Sequence, residues 1–194
     1  MGWRYWQPSL DDATSQTAKL SKRIEGQGIK QLDFLASIVG LKTKGIQQRA
    51  IILNLAGGAR IRILHPLDVL ESRLKNLAQL PSKRDPHGIA QAHLAIEVVR
   101  RFLEQLLREK PARRLLDAIE RAVRMAQEKS LETVFHDYGF DLLNAVPAER
   151  VPSEEFRTRR WPQILKLNIE QRRAYACAQR RQRRANPASK PSKA

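Results

Sequence analysis

Residues 50–77 read AIILNLAGGARIRILHPLDVLESRLKNL, and the period of the apolar positions changes partway along. Ala50 to Leu55 is a mostly apolar run. Ile61, Ile63 and His65 then alternate with Arg60, Arg62 and Leu64. Between the two runs lies Ala56-Gly57-Gly58-Ala59, and a Gly-Gly pair supplies the positive-φ positions that a tight hairpin turn demands. Pro66 suits the first turn of a helix, where its missing N–H leaves no bond unmade. Beyond it Leu67, Leu70, Leu74 and Leu77 recur at helical spacing, with Asp68, Glu71, Lys75 and Asn76 off that stripe. A hairpin running into an amphipathic helix marks a chain that changes class near residue 65.

The same contrast holds on either side. Ala18 to Ile24 alternates weakly, Glu25-Gly26-Gln27-Gly28 reads as a turn, and Ile29 to Leu35 as a second strand. Gly40 to Arg49 accommodates a short helical turn. After a polar break at Pro81 to Gly88, Ile89, Ala92, Ile96, Val99, Leu103 and Leu106 form the apolar face of a longer helix. Pro111 separates it from a helix striped by Leu115, Ile119, Ala122, Val123 and Ala126. An irregular stretch covers Leu131 to Pro152, and a last helix runs from Pro162 to about Arg184. The expected fold class is α+β. A strand-rich part over 1–65 precedes a helical region over 66–152 and a basic helical segment over 153–185. A tail over 186–194, with Pro187 and Pro191 among Ser and Lys, is expected to be disordered. The helices are expected to pack on each other and on the sheet.

The chain has 194 residues, 42% of them hydrophobic and 6% aromatic, which suits an aliphatic core. The apolar runs are too short to cross a bilayer. Met1-Gly2-Trp3-Arg4-Tyr5-Trp6 offers no apolar signal region, and Trp6 stands where a myristoylation motif needs Ser or Thr. Cys177 is the single cysteine, which excludes an intrachain disulfide and a cysteine zinc cluster. A reducing cytoplasm is the expected compartment, with no membrane partner.

The net charge of +16 is unevenly placed. From Arg157 onward there are 12 basic residues and one acid, Glu170, or +11; the preceding residues hold 24 basic and 19 acidic, or +5. Arg172, Arg173, Arg180, Arg181, Arg183 and Arg184 cluster around Tyr175. On a helix they are expected to spread around the circumference, which favours general contact with an RNA or DNA backbone over base reading. A solubilising segment would look the same. On the first reading a chain ending at Glu155 loses nucleic-acid binding.

Other single residues stand out. Asp33 lies in the apolar run Leu32-Asp33-Phe34-Leu35, where a carboxylate either faces water or is paired or holds a cation. Arg73 and Asn76 share a helix face and either point into a cleft or rest at the rim of the core. Lys83-Arg84-Asp85 is a charged break of the kind that connections commonly carry. His87, His93 and His136 lack zinc spacing.

The order of a strand with an internal Asp, a short helix, a hairpin, the helix HPLDVLESRLKNL and a KRD break resembles bacterial nucleotidyltransferase-fold proteins. The likeness is to those related to abortive-infection toxins and antibiotic adenylyltransferases, over Gln27 to Leu103. The resemblance implies that Asp33 matches the third carboxylate of a metal-binding trio. It implies that Arg73 matches a basic helix position, usually lysine, and that Lys83 to Asp85 loosely matches a charged break. The family's upstream Gly-Gly or Gly-Ser turn and Asp-x-Asp pair have no counterpart here. Asp11 and Asp12 are adjacent and would point to opposite faces of a strand. The implied protein is a truncated or degenerate nucleotidyltransferase fold without independent catalysis. Asp33 is then its candidate metal remnant, and magnesium and a nucleoside triphosphate are bound only if a partner chain completes the unit. The alternatives are a nucleic-acid-binding protein acting through the basic segment, and an active enzyme completed in trans.

Overall fold

The computed structural model describes residues 2–6, 17–35, 37–109 and 112–185. Asp11, Asp12 and the tail from residue 186 lie outside them, as do the side chains of Asp33, Arg183 and Arg184. The architecture is α+β. Strands β1 (Arg4–Trp6), β2 (Thr17–Ile24) and β3 (Gly28–Leu35) form an antiparallel sheet in that order. Helix α1 (Thr43–Arg49) leads into a separate hairpin of β4 (Ile51–Asn54) and β5 (Arg60–Ile63). The helical part comprises α2 (Pro66–Gln79), α3 (Pro86–Glu109), α4 (Ala112–Ala126), α5 (Glu132–Asp137) and α6 (Trp161–Ala185).

The hairpin turn forms as its glycines predict. Gly57 and Gly58 have φ of 83° and 80°, in the left-handed region that side-chain-bearing residues avoid. The Leu55 N–H donates to Ala59 O at 2.8 Å, and Ile51 then faces Ile63 in register.

The core belongs to the helices. Leu67, Leu70, Leu74 and Leu77 of α2 meet Ala92, Val99, Leu103 and Leu106 of α3 and Leu115, Ile119 and Ala122 of α4. Phe140, Leu142, Val151 and Phe156, from the irregular stretch and the turn that enters α6, close the same cluster. Among the described residues no strand residue is buried. Ile29, Leu32 and Phe34 of β3, and Ile52, Leu53, Ile61 and Ile63 of the second hairpin, are exposed. The expectation that the helices pack on the sheet is therefore corrected. The apolar stripes of α2, α3 and α4 cover one another and not a sheet. The strand-bearing segment is tied to the bundle by polar bonds instead. Arg49 of α1 reaches Asp68 of α2, and the Lys75 ammonium donates to Gly40 O at 3.3 Å.

The charged break between α2 and α3 is a pair of helix caps. Arg84 donates through Nε to Leu77 O at 2.9 Å and through Nη2 to Ala78 O at 2.8 Å, satisfying carbonyls at the end of α2. Asp85 accepts the Gly88 N–H at 2.6 Å in the first turn of α3, with Pro86 following it. No described helix is long and apolar enough to cross a membrane.

Candidate functional site

Two places concentrate charge. The first begins at His65, which caps α2 by accepting the Leu67 N–H on Nδ1 at 3.2 Å. One turn on, Asp68 is fully buried. Its carboxylate accepts from Arg49 Nη2 at 2.8 Å and Nε at 3.1 Å, and from Arg121 Nη2 of α4. The same Arg121 Nη2 donates to Glu71 at 2.8 Å, and Lys75 donates to Glu71 at 2.9 Å. Burial raises the carboxyl pKa of both acids, but the hydrogen bonds and charges of their cationic partners outweigh it and hold them below the ordinary range. His65 is pushed down from 6.5 by burial first and by Arg121 next, with Asp68 opposing.

This network forms one wall of a cleft of about 570 Å³. Arg114, Asp117, Arg121 and Arg124 lie along a single face of α4 and border it. Phe102, Leu106 and Met125 give it an apolar side, and Phe102 meets the His65 ring edge-on at 4.8 Å.

The second place is α6. Phe156 is buried in a π-helical turn directly before it, Trp161 and Ile164 pack on the core, and Asn168 is buried. Tyr175 meets the ring of His136 at 4.7 Å. These contacts select one side of the helix. Arg172 lies toward that side and pairs with Asp141 at 3.3 Å. Lys166, Arg173 and Arg180 are exposed on the opposite side. The arginines thus fan over about half of the helix, with Arg172 beside the docked side, and Lys166, Arg173 and Arg180 form a stripe at seven-residue spacing on the outward side. Arg181 is exposed beside it, as is Cys177. Arg183 and Arg184 continue the helix, with side chains outside those described.

No protein-family model, curated protein or solved structure matches the chain.

The residues carried by the nucleotidyltransferase resemblance fall on β3, on α2 and in the break before α3. Asp33 sits in β3 opposite Lys19 in register. Arg73 is half-buried on α2 and does not border the cleft, and Arg84 and Asp85 are occupied as caps. Among the described residues no group of three His, Cys, Asp or Glu side chains is placed to hold a metal ion.

Sequence reasoning set Asp68 aside as an off-stripe polar residue. The available signal was an acid in the first turn of a helix next to the leucine stripe. Its partners Arg49 and Arg121 lie 19 and 53 residues away, beyond any local pattern.

Proposed function

We propose that the chain is a nucleic-acid-binding protein that grips phosphate backbones through the outward face of α6. The observation that carries this reading is the exposed stripe Lys166, Arg173 and Arg180 on a helix anchored along its other side. Seven residues span about 10 Å of helix axis, so the stripe is a row of separated cations on a rigid rod. The +11 charge of the segment from Arg157 onward supports the same reading. Each phosphate neutralised releases counterions, so affinity depends steeply on salt and little on sequence.

The test is a salt titration on one labelled oligonucleotide, comparing the wild type with Lys166→Gln/Arg173→Gln/Arg180→Gln/Arg181→Gln. All four side chains are exposed, so the variant keeps the fold. The expected result is weaker binding at every salt and a log–log slope shallower by up to about 3.6, at roughly 0.7–0.9 per lost contact. Equal binding and equal slope overturn the reading.

A second reading is the nucleotidyltransferase-fold remnant without independent catalysis. Its support is the element order β3, α1, β4, β5, α2, which runs in the order that the resemblance implies. The expected outcome is no transfer of label from ATP, GTP, CTP or UTP. Magnesium-dependent incorporation abolished by Asp33→Ala would favour an enzyme completed by a partner chain instead.

A further inference from the structure

We infer that the cleft beside α4 is a binding site for a small phosphate ester with an apolar organic part, separate from the backbone-binding face of α6. The inference starts from which charged groups around the cleft are already engaged. Glu71 is held by Arg121 and Lys75. Glu128 accepts from Ser130 Oγ at 2.6 Å and lies 3.8 Å from Lys75. Among the described residues only Asp117, of the acids bordering the cleft, has no cationic partner.

The cations are less satisfied. Arg49 commits Nε and Nη2 to Asp68, which leaves its Nη1 without an acceptor among the described residues. Arg121 commits Nη2, and its Nη1 is buried with no acceptor among the described residues. Arg124 meets only Glu120, at 4.0 Å, and Arg114 has no carboxylate partner among the described residues. An unmatched guanidinium nitrogen at a buried position is costly, and native proteins tend to supply an acceptor. Here Arg114 and Arg124 flank Arg121 on one face of α4, at distances of seven and three residues, with Arg49 facing them from α1. Asp68 and Glu71 fix the inner pair in place, so their geometry is set before a ligand arrives.

The excess of fork-shaped donors from separate arginines suits a phosphate, which offers more acceptor directions than a carboxylate. His65 adds a neutral donor. Its Nδ1 accepts from Leu67, which leaves the ring proton on Nε2. Burial first, and Arg121 next, lower its pKa, which favours the neutral ring.

The organic part follows from size and lining. A volume of about 570 Å³ far exceeds inorganic phosphate and falls in the range of small-molecule sites. Phe102, Leu106 and Met125 give that extra volume an apolar wall.

The experiment titrates the full chain with phenyl phosphate and, separately, with inorganic phosphate. Affinity is read by calorimetry and location by backbone amide chemical shifts. The same titrations are run on Arg114→Gln/Arg124→Gln, whose parent side chains are both exposed. The expected result is saturable binding of phenyl phosphate that moves amides of residues 114–125. It should exceed inorganic phosphate by about tenfold and weaken by about tenfold in the variant, roughly the share of one charge-assisted contact. Shifts confined to α6 overturn the inference while leaving the backbone-binding reading intact. So does an absence of saturable binding, unchanged affinity in the variant, or equal affinity for the two ligands.

Discussion

His65 holds three roles at one position: helix cap, neighbour of the Asp68 network and wall of the cleft. Arg49 faces it from α1, Asp68 from α2, Phe102 from α3, and Arg114 and Arg121 from α4. Burial first, and the nearby arginines next, disfavour the protonated ring, so the folded-state pKa lies below 6.5, and protonation would also remove the Nδ1 acceptor that caps α2. The unfolded chain therefore binds the proton first as pH falls. Stability is complete above the unfolded value, and it declines as pH drops below about 6.5 toward the folded value. Asp68 and Glu71 also have lowered pKa values, but theirs act only below the ordinary carboxylate range. We expect the melting temperature of the wild type to fall between pH 7.5 and about 5. His65→Asn, which keeps a capping acceptor without a titrating ring, should give a flatter curve over that window. Parallel curves would assign the titration to another group.

At the scale of elements, helix ends are fixed by short-range chemistry and helix faces by distant partners. The break Lys83-Arg84-Asp85 was legible as a break because Pro81 and Pro86 bracket it. Its charges were not legible as caps, since the carbonyls of Leu77 and Ala78 are exposed for capture only where α2 ends. Asp85→Ala should cost about 0.5–2 kcal/mol in a denaturant melt, the usual worth of an N-cap carboxylate. A change within error would mean that Gly88 N–H is satisfied by water instead. The strands present the opposite case. Their alternation predicted β2, β3 and the β4–β5 hairpin within a residue or two, yet alternation carries no information on what covers a sheet. Ile29 at 66% exposure and Leu32 at 50% are strand residues by pattern with no core beneath them.

At the scale of the whole molecule, the basic segment is part of the fold and not an appendage. A chain ending at Glu155 would lose Phe156, Trp161 and Ile164 from the core as well as the cations. We expect that truncation to lower the melting temperature sharply, since losing one buried aromatic alone costs about 3–5 kcal/mol. Loss of nucleic-acid binding in that chain would therefore not isolate the charge, which is why the exposed glutamine substitutions are the sharper test. A truncated chain that melts like the wild type would show the docking of α6 to be weak. By itself the sequence determined the order and type of β2 to α4 and of α6, the change of class near residue 65 and the concentration of charge after Arg157. All three are local properties, written in the spacing of Leu67 to Leu77, the Gly57-Gly58 turn and the run of arginines. Only the tertiary structure decided that α2, α3 and α4 bury one another and leave the strands uncovered. It also decided that Arg172 pairs with Asp141 while Arg173 faces away from the core, and that Arg49, Asp68 and Arg121 meet. The physical reason is that burial and ion pairing depend on which faces come together in space, and residues 19 and 53 positions apart leave no periodic trace of their meeting.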